Sequence, residues 1–225
     1  MPSEQLQAFW RDHFGRDGPD KIVCVGLNYV DHAAESSLAV PERPLLFAKF
    51  SNTLVGPGEP IVLPRESAHV DAEAEIAVLI GEPARRVPRE RVGDVVAGYT
   101  CANDVSARDI QFGDGQWLRG KSFDTFCPVL TTLVATVDED ARVVQRVNGE
   151  VLQDGPVRDM IFDIPTIVAH ASDAFSLLPG DLILTGTPPG VGYFREPKLA
   201  LAPGDVVEVE VTGVGVLSNP VVADA

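Results

Sequence analysis

The chain has 225 residues, 45% of them hydrophobic and 23% charged, an ordinary globular composition with length for one sizeable core. A formal net charge of −15 makes a field that repels nucleic acid and anionic membranes, so neither is expected as a partner. No apolar run approaches the roughly 20 residues of a membrane helix. Three cysteines without a CxxC pair exclude a thiolate zinc pattern and fit reduced thiols in a cytoplasm.

In chain order, Leu6, Phe9, Trp10 and Phe14 recur at helical spacing and predict a short amphipathic docking helix within an N-terminal extension, residues 1–20. This start lacks a basic stretch followed by an apolar one, so it does not read as a secretory signal. Strands are predicted over 21–26, 44–50, 73–81, 95–103 and 129–136. The segment 142–154 alternates around Asn148-Gly149, a hairpin signal. Pro165 suits the first turn of a helix running to about Ser176. Two Pro-Gly-Asp turns, at 179–181 and 203–205, each feed a further strand. Gly and Pro are spread evenly, so 21–221 reads as a single domain, predominantly β with a few short helices. The tail after Asn219 is expected to be loose, with 222–225 outside the domain.

The stretch from His69 to Gly81 carries the strongest chemical signal. On a strand, Glu73 and Glu75 share a face, roughly 7 Å apart at the α-carbons. That face continues inward as Ala77 and Leu79. Two carboxylates at the mouth of a core repel each other unless one is protonated or a cation lies between them. Asp104, where a strand end turns into a helix start, offers a third. Three oxygen ligands without a histidine or cysteine pattern suit Mg²⁺ or Mn²⁺. A solvated strand edge and a helix N-cap explain the same residues equally well.

His32 and Glu35 are three apart, so on a helix they share a face, either as an oriented general base or as a surface ion pair. Arg108, Arg119 and Lys121 surround Gln111 in a cationic patch suited to a carboxylate substrate, or to pairing with Asp109, Asp114 and Asp124. Lys49 lies on an apolar strand and needs a partner. The loop from Thr185 to Gly192 lacks the lysine of a phosphate-binding loop, but could offer the Thr187 hydroxyl and backbone N–H groups to an anion.

Taken in order, GLNYVDHAAE (26–35), PLLFAKF (44–50), VDAEAEIAVLIG (70–81), ANDVSARDIQ (102–111), RGKSFDTFCP (119–128), RVNGEVLQD (146–154), DMIFDIPTIV (159–168), PGDLILTGTPPGVG (179–192) and PGDVVEVEVTGVG (203–215) resemble the short, single-domain members of the fumarylacetoacetate hydrolase family. The resemblance implies a mixed β-sandwich roll with a few helices, usually paired as a homodimer. It implies Mg²⁺ or Mn²⁺ on Glu73, Glu75 and Asp104. It places His32 and Glu35 on a lid, and Arg108, Gln111, Lys121 and Thr187 against substrate or a catalytic water. The expected reaction is hydrolysis of a C–C bond in a small acylpyruvate, fumarylpyruvate- or acetylpyruvate-like. His32 and Glu35 would activate water, Lys121 and Thr187 would hold anionic groups, and pyruvate enolate would leave beside the metal. Alternatives are decarboxylation of oxaloacetate, isomerisation or decarboxylation of a 2-hydroxyhepta-2,4-diene-1,7-dioate-like diacid from aromatic breakdown, and a metal-stabilised protein that binds a 2-oxo acid without turnover.

Overall fold

Two five-stranded sheets carry the fold in the computed structural model, which describes residues 2–35 and 39–224, with the side chains of 32–34 excepted. In chain order the first elements are α1 Glu4–Phe14, β1 Ile22–Gly26, α2 Val30–Glu35, β2 Leu45–Lys49, β3 Leu54–Val55, β4 Ile61–Leu63 and β5 Val70–Asp71. Next come β6 Ala74–Ile80, β7 Val96–Asn103, β8 Ser106–Ala107, α3 Arg108–Asp114, α4 Leu118–Lys121 and β9 Cys127–Pro128. The chain finishes with β10 Arg142–Val147, β11 Glu150–Pro156, α5 Ile164–Ala174, β12 Leu182–Leu184, β13 Val206–Val211 and β14 Gly215–Ala223. This is a mixed α+β fold, mostly strands with few short helices.

The first sheet has the order β2-β1-β12-β6-β7 and the second β11-β10-β13-β14-β4. Within them only the β1–β12 and β14–β4 pairs are parallel. All seven residues of β6 are buried because both faces are covered. Ala74, Ile76, Val78 and Ile80 pack towards Val143, Val209 and Leu217 of the second sheet and Ile167 and Ala171 of α5. Ala77 and Leu79, on the other face, pack with Leu6, Phe9 and Trp10 of α1. The alternation read from the sequence is therefore a choice between two cores, not between core and solvent.

Local chemistry explains the element ends. Ser3 caps α1 by accepting from the Leu6 N–H, and Gly15 closes it in the left-handed region. Trp10 is fully buried, with its indole N–H donated to the Gly180 carbonyl at 2.8 Å. Burying a side chain of this size contributes on the order of 3 kcal/mol, so the N-terminal helix is docked as its pattern predicts. Asp163 caps α5 and Pro165 occupies its first turn. Asn148 and Gly149 both have positive φ, as a tight hairpin turn between β10 and β11 requires.

Two expectations fail. The run 129–136 is not a strand. It follows β7 only through isolated bridges, Val129 to Ala102 and Val134 to Tyr99. The Thr100 hydroxyl takes the Leu130 carbonyl, so a side chain replaces a ladder bond there. The tail is not loose either. β14 runs to Ala223, and Val221, Val222 and Ala223 pair with Ile61, Val62 and Leu63. These residues find a strand partner some 160 positions earlier, which local composition does not report.

Candidate active site

The β6–β7 ladder opens at Ala74 and Asn103, and the acidic residues flank that opening. Glu73 precedes β6 and donates its N–H to Asn103 Oδ1 at 3.0 Å. Asp104 follows β7 and donates its N–H to the Glu73 carbonyl at 2.9 Å. Glu75 lies two residues into the strand face. One ligand oxygen from each of Glu73, Glu75 and Asp104 lies within 4.8 Å of the others, and all three side chains are buried.

Three buried cations meet this cluster. Lys121, from α4, donates to Glu73 Oε2 at 2.6 Å and to Asp104 Oδ2 at 2.7 Å. Arg108, opening α3, donates to Glu73 Oε1 at 2.5 Å, to Asp71 Oδ1 at 2.8 Å and to Gln111 Oε1 at 3.1 Å. Lys49 donates to Asp104 Oδ1 at 2.6 Å and to the Val105 carbonyl at 3.1 Å. That is the partner the sequence required for a lysine on an apolar strand. The Gly186 N–H donates to Glu75 Oε2 at 2.6 Å.

Among the described residues, with all groups ionised, the four carboxylates Asp71, Glu73, Glu75 and Asp104 face the three cations Lys49, Arg108 and Lys121, an excess of one negative charge. Burial, and then Asp104 and Glu73 nearby, push the Glu75 carboxyl well above its usual range. Burial also raises Asp71, against the pull of Arg108. For Lys121 burial acts downward, but Asp104 and Glu73 outweigh it and hold the ammonium above its ordinary value. The residues fit a divalent ion. Three converging oxygens and a carboxyl driven towards its neutral form are the state that a hard cation relieves, and its charge turns the local excess positive.

Beside the cluster is a cavity of about 30 Å³ lined by Glu73, Glu75, Arg108, Gln111, Lys121 and Thr187. Phe47, Phe112, Trp117 and Phe194 add aromatic walls, and Val25, Gly26 and Leu27 close the lining. Thr187 is placed by β12, but its hydroxyl already donates to the Ala74 carbonyl at 2.8 Å and accepts from Gln153 Nε2 at 2.7 Å. Gln153 returns to β6 by accepting from the Ala74 N–H at 3.0 Å. Thr187 thus braces the loop against β6 as well as lining the cavity. Arg119 does not join the site. It is exposed and paired with Asp114 at 2.5 Å, the ordinary outcome for a cation near a carboxylate on a surface turn.

Glu35 ends α2, and both its carboxylate oxygens accept from the Gly190 N–H, at 3.2 Å each. His32 falls on the same helix, and its side chain lies outside the described residues. The sequence reading gave no role to Asp71 or Gln153. For Asp71 a signal existed: Asp71, Glu73 and Glu75 continue one period-2 series. For Gln153, on a hairpin 79 residues from its partner Ala74, there was none.

The sequence pattern of the fumarylacetoacetate (FAA) hydrolase C-terminal family matches residues 21–222. The chain is 47% identical over 210 residues to a mitochondrial oxaloacetate tautomerase of Xenopus laevis, covering 91% of this chain and 66% of that protein. It is 47% identical over 211 residues to a human mitochondrial oxaloacetate tautomerase, covering 91% and 67%. The chain thus spans about two thirds of the length of these relatives. Among solved structures, a 5-carboxymethyl-2-hydroxymuconate delta-isomerase from Mycobacterium smegmatis superposes with a TM-score of 0.83 at 42% identity, covering 92% of this chain and 80% of that one. A fumarylacetoacetate hydrolase from Exiguobacterium antarcticum gives 0.85 at 40% identity, covering 92% and 76%. With the family pattern matched over residues 21–222 and 92% of the chain superposing on solved structures at 40–42% identity, the chain belongs to the fumarylacetoacetate hydrolase family.

Proposed function

We propose that the chain is a divalent-metal-dependent enzyme that enolises a small 2-oxo acid, with keto–enol interconversion of an oxaloacetate-type diacid as its reaction. The observation that carries this reading is the convergence of three buried carboxylates within 4.8 Å beside a cavity that Arg108 and Lys121 also line. The tautomerase names of relatives at 47% identity support the same choice.

Glu73, Glu75 and Asp104 would hold Mg²⁺ or Mn²⁺, which lends positive charge to a 2-oxo oxygen and so acidifies the adjacent C–H. Asp104 and Glu73 favour the charged form of Lys121 in the metal-free site, and at the cavity wall its ammonium would orient and neutralise a substrate carboxylate. Arg108 is fixed by Asp71 and Gln111 and presents a rigid cation at the same wall. His32, three residues before Glu35, would be the base that removes the proton from the carbon next to the 2-oxo group. The same proton is then returned to the 2-oxo oxygen to complete the enol, so the base ends in its starting form and the reaction is a net isomerisation. The aromatic walls limit the access of water.

A second reading, hydrolysis of an acylpyruvate, is favoured by the contact of Glu35 with Gly190, which holds α2 against the loop carrying Thr187. A base held there can take a proton from water instead. The hydroxide adds to the distal carbonyl, the C–C bond breaks, and pyruvate leaves as its enolate. Pairing of two copies belongs to the same proposal, and sedimentation of the purified chain tests it.

The deciding experiment follows enol absorbance and pyruvate release together, with Mg²⁺ or Mn²⁺ and with oxaloacetate, acetylpyruvate or fumarylpyruvate. Accelerated loss of the oxaloacetate enol signal without pyruvate supports the tautomerase reading. Pyruvate from an acylpyruvate, abolished by His32→Ala, replaces it with the hydrolase. Pyruvate from oxaloacetate alone makes the enzyme a decarboxylase. Ion binding with no reaction of any substrate leaves a binding protein.

A further inference from the structure

Each of the three carboxylates has one oxygen held by a donor of the protein itself. Asp104 Oδ1 is held by Lys49 Nζ at 2.6 Å, Glu73 Oε1 by Arg108 at 2.5 Å, and Glu75 Oε2 by the Gly186 N–H at 2.6 Å. The second oxygens of Asp104 and Glu73 both meet Lys121. The two lysines differ in their freedom. Lys121 lines the cavity, so its ammonium can turn into that space when an ion takes the two oxygens. Lys49 has a fully buried side chain, is absent from the cavity wall, and is tied a second time to the Val105 carbonyl.

We infer that Lys49 is a positioning residue that selects the ion, by closing one oxygen of Asp104 so that this carboxylate can bind through the other alone. The inference rests on the reading of Glu73, Glu75 and Asp104 as metal ligands. Calcium takes six to eight oxygens and commonly uses carboxylates through both of theirs. Magnesium needs a tight octahedron completed by waters. Three carboxylates limited to one oxygen each supply half an octahedron, leaving the remaining positions to water and to the two oxygens of a 2-oxo acid. Lys49 never touches the substrate. It acts through the number of oxygens Asp104 can give.

The ratio of affinities isolates this role. Removing the Lys49 charge changes the attraction for every divalent ion alike, and that change cancels between Ca²⁺ and Mg²⁺. A change in the number of Asp104 oxygens does not cancel. The experiment titrates the metal-depleted full chain, wild type and Lys49→Met, with Mg²⁺, Mn²⁺ and Ca²⁺ by calorimetry. Wild type should bind Mg²⁺ and Mn²⁺ at least as tightly as Ca²⁺. In Lys49→Met, Ca²⁺ should gain about tenfold relative to Mg²⁺. An unchanged ratio in a folded variant overturns the inference and reduces Lys49 to a counter-charge. Tighter binding of Ca²⁺ than of Mg²⁺ by wild type overturns it with no variant needed, so a failure of Lys49→Met to fold leaves the test intact. Oxaloacetate turnover, read in parallel, separates the two claims. Turnover with an unchanged ratio sinks only the role of Lys49, whereas a shifted ratio without turnover upholds that role and sinks the functional reading.

Discussion

Glu35 and Gly190 are joined by one backbone N–H that reaches both carboxylate oxygens at 3.2 Å. The bond ties α2, the helix that carries His32, to the loop that follows β12 and carries Thr187. A partly buried, charge-assisted bond of this kind holds a short helix that has too few residues to be stable alone. Glu35→Ala should therefore lower turnover by about 10²-fold while moving the melting temperature little, because α2 is peripheral to both cores. Glu35→Gln, which keeps an accepting oxygen, should recover part of the loss. Steady-state kinetics beside a thermal melt checks both. Full activity in Glu35→Ala would remove α2 from the site.

Gly190 itself admits no side chain. Its φ is +105°, and a Cβ there would lie 2.1 Å from the Leu152 carbonyl oxygen. Both the strain and the clash act on backbone that cannot swing aside. Gly190→Ala should cost about 2 kcal/mol or more in urea unfolding. It should also impair turnover, because the N–H that anchors Glu35 moves with the loop. A variant as stable and active as wild type would mean that this loop re-forms freely and positions nothing.

Much of the fold was legible because its signals are local. The period-2 run of β6, the Asn-Gly hairpin and the Pro-Gly-Asp turns each announce themselves within a few residues. The same run, together with Asp104, brought the three carboxylates to notice. What sequence could not show is how their charge is met. Lys49 lies 55 residues from Asp104, and Lys121 lies 48 from Glu73, so these pairings exist only once the sheets are assembled. The misread segment 129–136 has the same cause: its apolar and β-branched residues suit a strand, but the Thr100 side chain takes the Leu130 carbonyl that a ladder would have used.

Lys121 bridges two carboxylates with both of its partners buried. Its removal leaves Glu73 and Asp104 facing each other without that cation. Lys121→Met should destabilise the metal-free protein by about 3–5 kcal/mol. Saturating Mn²⁺ should restore most of that, because the ion supplies the missing charge, but should not restore turnover. Urea unfolding with chelator and with Mn²⁺, next to an activity assay, separates the two effects. Equal destabilisation with and without the ion would place Mn²⁺ elsewhere.

The raised Glu75 carboxyl fixes the sign of a pH effect. Its ordinary value of 4.5 is shifted upward in the fold, by burial first and then by Asp104 and Glu73. The native protein therefore holds that proton more tightly than the unfolded chain does. The resulting stabilisation is complete below the ordinary value and is lost as pH rises through the raised one. Asp71, also raised, adds to the same slope. The carboxylates with lowered values, Asp20, Asp109, Asp114 and Asp163, act in the opposite sense but below 3.8, outside this window. In chelator, stability should thus decline as pH climbs from the ordinary carboxylate range. An ion on the triad must displace the Glu75 proton, so its affinity grows with pH. Thermal melts across pH, in chelator and in saturating Mn²⁺, should show a gap that widens as pH rises. Glu75→Gln should flatten that gap and leave only the share of Asp71 in the chelated slope. A gap of constant width in wild type would show that the ion displaces no proton, and Glu75 would then not be one of its ligands.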